Sequence, residues 1–178
     1  MTTVTYSEYI ASLPKILSGA HVLFRDADGR VLIAETTYRE DGKWTLPGGT
    51  VESDAGETPR QGARRETLEE IGLDIEPGQL LAVDWVRGPG RPPLVSYLYD
   101  GGVLDEARQS AIRLQPEELS AWLMVTPSEA ESYLSPGLHR RIIAALNALE
   151  SGTGTAELED GHPAGQAPAP SGVTRPAG

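Results

Sequence analysis

"RQGARRETLEEIGLD", residues 60–74, sets Arg65, Glu66, Glu69 and Glu70 close together and closes on Gly72. On a helix turning about 100° per residue, with Glu66 at zero, Glu70 falls near +40° and Glu69 near −60°. The three carboxylates then share one arc of about 100°, while Thr67, Leu68 and Ile71 fall at about 100° to 200°, on the opposite side. One face packs and the other concentrates negative charge. Repulsion of this kind is not cured by i,i+4 pairs worth a few tenths of a kcal/mol, and Arg65, beside Glu69, answers only part of it. A solvated acidic face is the default for an anonymous pair of glutamates, but the residues upstream tip the balance. In "LPGGTVESDAGE", residues 46–57, Gly48 and Gly49 form a turn, and Glu57 stands where it can fold over the same face. Oxygen-only ligands suit a hard cation such as Mg²⁺ or Mn²⁺, which takes one or two carboxylates and completes its shell with water and phosphate oxygens. The arc reads as a divalent-metal platform with Glu57, Glu66, Glu69 and Glu70 as ligands.

The ends of this helix are legible. Thr58-Pro59-Arg60-Gln61 fits a capping box, with Thr58 as N-cap, Pro59 where a missing N–H costs nothing and Gln61 reaching back. Gly72 is the stop. Upstream, "SGAHVLFRDADGRVLIAET" gives two strands, about 20–25 and 30–35, with Asp28-Gly29 supplying the turn of a hairpin. A brief strand is expected around 44–46, and Pro47-Gly48-Gly49 is expected to end regular structure there. Downstream, "QLLAVDWVRG" and "LVSYLYDGG" read as strands flanking "GPGRPP", "ARQSAIRLQ" as a weaker strand and "PEELSAW" as one helical turn. "SPGLHRRIIAALNALE" is an amphipathic helix started by Ser135-Pro136, with Leu138, Ile142, Leu146 and Leu149 at helical spacing.

Composition bounds the rest. At 178 residues, 39% hydrophobic, the chain can bury one core of ordinary size, which predicts one domain, residues 1–150. Residues 151–178 turn to Gly, Ala, Pro and Ser with almost nothing large and apolar, and read as a disordered tail. The formal net charge of −11 and the lack of a basic cluster argue against a nucleic acid polymer as partner. Zero cysteines exclude disulfides, thiolate metal sites and a cysteine nucleophile. No apolar run approaches the roughly 20 residues of a membrane span, and the N-terminus lacks a basic start followed by an apolar segment. A soluble, cytoplasmic protein without a membrane partner is the expectation.

Gly49, Glu57 and "RETLEEIG" with Leu73 resemble the Nudix box, whose usual form is G-x5-E-x7-R-E-U-x-E-E-x-G-U, where U is bulky and apolar. From Glu57 onward the spacing holds. Two departures stand out: seven residues rather than five separate Gly49 from Glu57, and Thr67 takes the place of a bulky apolar residue. The first lengthens a surface loop, at ~0.6 kcal/mol per doubling; the second keeps a methyl toward the packed face. The order of elements over residues 18–150 also agrees with the family. The resemblance implies an α/β fold, a Nudix-type α/β/α sandwich with a mixed sheet. It further implies a Mg²⁺- or Mn²⁺-dependent hydrolase that cuts a pyrophosphate bond in a nucleoside diphosphate linked to another moiety. Glu66, Glu69 and Glu70 would hold the ion and Arg65 would orient Glu69. The proton acceptor stays open among Glu66, Glu70 and a later-loop glutamate, for which Glu117 and Glu118 are the candidates. Arg39, Lys43, Trp44 and Arg87 are candidates for substrate contact, with Arg91, Trp85 and Tyr38 behind them. A non-catalytic Nudix-fold nucleotide-binding or sensor module is the alternative, weakened by the complete set of glutamates. An isoprenoid-diphosphate isomerase of the same fold would need a cysteine. The nucleotide substrate class stays open among triphosphates, ADP-ribose, nucleotide sugars and dinucleotides. Many relatives are homodimers, so the resemblance admits a homodimer without deciding it.

Overall fold

Apolar residues on both faces of "LSGAHVLFR" make strand β1 (Leu17–Arg25) the spine of the sheet. Ala20, Val22 and Phe24 point to one side and Leu23 to the other, because successive side chains alternate across a strand. β2 (Val31–Thr36) returns antiparallel through a turn in which the Asp26 carboxylate accepts the backbone N–H groups of Asp28 and Arg30 at 3.0 and 2.9 Å. β3 (Gly48–Thr50) pairs with β1 at Gly19–His21. Beyond the acidic helix, β4 (Leu80–Val86) and β5 (Leu94–Val103) form a hairpin whose second strand runs parallel to β1. β6 (Leu119–Val125) adds antiparallel to β2. With β7 (Ala156–Glu159) and β8 (His162–Pro163), the order across the sheet is β6-β2-β1-β5-β4-β7-β8, with β3 beside β1. This computed structural model describes residues 5–168.

Two long helices cover the two faces. After α1 (Tyr6–Ser12), α2 (Pro59–Ile71) buries Ala63 and Ile71 against Ala20, Val22 and Phe24. On the opposite face, beyond the short α3 (Glu106–Ala111) and α4 (Ala130–Tyr133), α5 (Pro136–Ser151) buries Ile142 and Ala145 against Leu23, Ile33 and Leu98. This is the α/β/α sandwich with a mixed sheet. α5 is also fixed by charge: the Arg141 guanidinium donates to Asp84 on β4 at 2.8 Å and to Ser96 on β5 at 3.0 Å. Asp84 is fully buried, and Arg141 is the charged partner it meets there. No helix among the described residues is long and apolar enough to cross a membrane.

The elements differ from the sequence reading where tertiary partners decide. Gly48–Gly49 does not end regular structure: it begins β3, which pairs with β1 and brings Gly48 so close to Ala20 and His21 that no Cβ would fit there. Trp44 and Thr45 form only isolated bridges, to Leu134 and Ala34. "ARQSAIRLQ" contains α3 rather than a strand, since the Asp105 carboxylate caps a helix by accepting the Arg108 N–H at 2.8 Å. In "PEELSAW" the turn ends at Glu118, and Leu119 onward enters the sheet as β6. α1 went unread, although its Thr5–Glu8 capping box is visible in sequence.

The expected disordered tail is the largest difference. Within it, β7 lies parallel on β4 and β8 closes a hairpin with β7. Leu158 is 3% exposed, and the Gly161 N–H donates to Asp84 at 3.1 Å. Main-chain pairing and one buried leucine supply what composition did not reveal; residues 169–178, the remainder of the expected tail, lie outside the described residues. Leu158→Ala is expected to cost about 2–4 kcal/mol in denaturant unfolding; a change near zero would show that the strand adds nothing to the fold.

Candidate active site

α2 starts as its sequence dictates. Thr58 accepts the Gln61 N–H, Gln61 returns a bond to Thr58, Pro59 occupies the first turn, and Gly72 ends the helix in the left-handed region at φ +73°. Thr67 is fully buried, with its hydroxyl donating to the Ala63 carbonyl at 2.7 Å, so its methyl packs without leaving a polar atom unpaired. Leu68, expected on the packed side, is exposed.

The acidic arc divides between two jobs. Glu66 and Glu70 lie with Glu118, from the turn before β6, so that one carboxylate oxygen of each falls within 4.8 Å of the others. Glu57 and Glu69 instead face Arg65. Glu57 takes Arg65 Nε at 2.8 Å and an Nη at 3.0 Å, and accepts the Glu52 N–H at 2.8 Å; Glu69 takes Arg65 Nη1 at 3.0 Å. The same Nη1 reaches Glu66 at 3.0 Å, and Nη2 donates to the Thr50 carbonyl at 3.1 Å. Arg65 therefore ties the helix, β3 and three glutamates together. The longer loop before Glu57 is folded as a 3-10 turn over Ser53–Ala55 that ends on a left-handed Gly56.

β3 explains both glycines of the turn. Gly48 donates its N–H to Glu70 at 2.7 Å. It adopts φ +134°, and a Cβ there would stand 2.2 Å from the Ala20 carbonyl oxygen. At Gly49 a Cβ would stand 2.7 Å from the Glu66 carboxyl group. The two glycines seat the backbone directly against the two helix carboxylates.

Electrostatics follow from this crowding. Burial pushes Glu70 up to about 8 against the pull of the Gly48 N–H, and the charges of Glu66, Glu118 and Glu69 add to the rise. Burial also raises Glu66, partly offset by Arg65, whereas the Arg65 hydrogen bonds lower Glu57. Glu66 and Glu70, buried close together, thus hold their charge reluctantly. Their oxygen-only chemistry and spacing fit a hard divalent ion.

The candidate substrate residues are placed elsewhere. Arg39 pairs with Asp41 at 2.5 Å, Arg87 with Asp160 at 2.7 Å, and Lys43 reaches the Ser132 carbonyl at 3.5 Å. Trp44 packs edge-to-face on Tyr133, with centroids 5.2 Å apart. None of the four pairs with Glu66, Glu70 or Glu118. Arg91 folds onto the Pro92 carbonyl. Tyr38, by contrast, is exposed and close enough for Glu70 and Glu118 to reinforce the rise in its phenol pKa that burial begins. Glu118 is the residue that helix periodicity could not supply; the signal for it was the "PEEL" pair at 116–119.

Gly48→Ala is expected to destabilise the fold by about 1–3 kcal/mol through backbone strain, whereas Gly49→Ala should leave stability within about 1 kcal/mol of wild type yet push Glu66 aside and lower metal affinity; calorimetric titration with Mn²⁺ beside thermal unfolding separates the two. A second expectation concerns pH. Glu70 binds its proton more tightly folded than unfolded, so the metal-free protein loses stability as pH rises from the ordinary 4.5 to about 8, and the loss levels off above that. Thermal unfolding in chelator should show this slope, and Glu70→Gln should flatten it.

Comparison with known proteins converges on one family. The NUDIX domain model matches residues 15–146. A MutT-like protein of Streptomyces ambofaciens is 30% identical over 131 residues, spanning 74% of this chain and 77% of that one. An RNA pyrophosphohydrolase of Dinoroseobacter shibae is 28% identical over 141 residues, spanning 71% and 86%. In fold, the chain is similar to the crystal structure of a MutT protein from Methanosarcina mazei, with a TM-score of 0.61 at 22% identity over 79% of this chain and 99% of that one. The sandwich, the box helix and these likenesses together show that the chain belongs to the Nudix family of hydrolases.

Proposed function

We propose that the chain is a Mg²⁺- or Mn²⁺-dependent pyrophosphohydrolase acting on a small nucleoside diphosphate derivative, with the ion held by Glu66, Glu70 and Glu118. The observation that carries this reading is the meeting of these three carboxylates from two separate elements within 4.8 Å. When bound, a divalent ion supplies charge neutralisation to the diphosphate and acidity to a water. The protein's own groups do the rest. Gly48 fixes one oxygen of Glu70 and Arg65 steadies Glu66, so both present their remaining oxygens in a set direction. Arg65 also holds Glu57 and Glu69, which makes it a positioning residue for the whole helix face. The Glu118 backbone carbonyl accepts from Thr37, while its carboxylate accepts no hydrogen bond among the described residues, and that carboxylate is the group we assign to take the proton from the attacking water.

A small nucleotide suits the charge of the chain better than a polymer does. The −11 net charge repels a phosphate backbone, and Arg39 and Arg87 are already paired. Exposed Tyr38 offers a ring near the carboxylates on which a base can stack.

The deciding experiment measures phosphate and nucleoside-monophosphate release from triphosphates, ADP-ribose, nucleotide sugars, dinucleotides and 5′-triphosphorylated RNA with Mg²⁺ or Mn²⁺. Metal-dependent turnover of one small nucleotide class is expected, with Glu118→Gln and Glu66→Gln each lowering kcat by about 10²-fold or more and Glu117→Gln leaving it unchanged. Equal losses at Glu117 and Glu118 would refute the assignment of Glu118. Tight nucleotide binding without turnover would favour a sensor, and cleavage of the RNA alone would overturn the substrate class.

A further inference from the structure

Among the polar and charged residues buried in the fold, Asp26, Thr67, Glu70, Asp84, Ser96 and Arg141 each spend the side chain on a hydrogen bond. Thr36 does not. It is 8% exposed, and its Oγ1 meets no partner among the described residues. His21, Arg25 and Arg140 also leave one nitrogen unpaired, but each is only partly buried and carries a further nitrogen. In Thr36 the orphan is the only polar atom of the side chain. A hydroxyl in that position costs the fold its desolvation, which a valine of the same shape would not. Such a group calls for an explanation, and a neighbouring site that receives an ion and its waters supplies one.

The place of Thr36 in the sheet sets it beside the carboxylates. Along β2, Leu32 and Ala34 point into the core under α2, with Ala63 and Ile71, and Thr36 is the next residue on that side. Its partner across the ladder is Leu119, buried in the same core, because the pairing slips by one residue between Glu35 and Thr36. Glu118 comes immediately before Leu119. The Thr37 N–H donates to the Glu118 carbonyl at 2.9 Å, and the Thr37 hydroxyl donates to the Glu117 carbonyl at 2.7 Å. From the other side, the Gln115 carbonyl takes the N–H groups of Glu118 and Leu119 at 3.0 and 2.9 Å, and the Gln115 N–H donates to the Glu70 carbonyl at 2.9 Å. Thr36 therefore stands at the corner where β2, the Glu118 turn and the end of α2 are bonded together. Two residues further on, Tyr38 is close enough to feel the charges of Glu70, Glu118 and Glu66.

We infer that Thr36 is a further residue of the active site, its hydroxyl held unpaired inside the fold to hydrogen-bond a water carried by the divalent ion between Glu66, Glu70 and Glu118. The role rests on the ion site proposed above and adds a neutral group to its three carboxylates. A hard ion of this kind keeps several of its waters. A hydroxyl suits one of them: a lone pair of Oγ1 accepts a water proton, and the O–H is free to turn toward a carboxylate oxygen. The water is then oriented without further charge entering a crowded acidic site. In the metal-free protein the hydroxyl is a cost, and in the loaded protein it is a contact.

The two effects have opposite signs, so one isosteric change separates them. Thr36→Val is expected to raise the thermal midpoint in chelator and to weaken Mn²⁺ binding about 10-fold in calorimetric titration without nucleotide. Thr36→Ser, which keeps the hydroxyl, is expected to bind Mn²⁺ as wild type does, and Glu66→Gln marks the loss that follows when the ion site itself is broken. A Thr36→Val protein with a raised midpoint and unchanged Mn²⁺ affinity, beside a weakened Glu66→Gln, overturns the role of Thr36 alone, the hydroxyl then being a plain burden on the core. A lowered midpoint in chelator overturns it too, because the hydroxyl would have a partner within the fold, and so does a serine variant that binds as weakly as the valine one. Wild-type affinity in both Thr36→Val and Glu66→Gln brings down the ion site, and this role with it.

Discussion

The hydrogen bond from the Gly48 N–H to the Glu70 carboxylate is the constraint around which the site is arranged. It pins the end of a charged helix to the backbone of a strand, and it can form only because β3 lies close against both α2 and β1. A side chain at Gly48 would strike the Ala20 backbone, and one at Gly49 would strike Glu66. Two residues with no side chain thus set how deeply two carboxylates are buried. Burial in turn makes their charge costly, and a costly charge is one that a cation can relieve.

Much of the sandwich could be read from sequence because its decisive signals are local. The capping box at Thr58, the stop at Gly72, the Asp-Gly turn and the spacing of apolar residues in α5 each act over a few residues, and each appears where the sequence places it. The misreadings share a cause. β3, β6 and β7 are held by ladders to distant strands, and a ladder asks little of the residue types that form it. Gly48–Thr50 carries no strand-like pattern, and the alternation Ala-Glu-Leu-Glu of Ala156–Glu159 is only four residues long in a Gly- and Pro-rich stretch, so in both it is the partners that make the strand.

The candidate site divides in the same way. Glu66 and Glu70 were legible because helix periodicity puts them on one side of α2. Periodicity also put Glu69 near them and the turn before the helix put Glu57 there, but neither could show that Arg65 takes both, since that depends on how the preceding loop folds back. Glu118 comes from the turn that leads into the edge strand β6 and is brought there by the pairing of β6 with β2. The basic and aromatic loop residues were the least legible, because an arginine two residues from an aspartate, as Arg39 is from Asp41, satisfies itself locally.

The closing strand has a consequence for the order in which the chain becomes native. Gly161 reaches Asp84 across 77 residues and Arg141 reaches it across 57, so the buried aspartate waits for partners made long after it. Contacts of such long sequence separation slow folding. On the ribosome, the β4–β5 hairpin stands with an open edge and an unpaired carboxylate until the last quarter of the chain has emerged. Premature termination in that interval would release a species with an unprotected strand edge, the form from which aggregation begins.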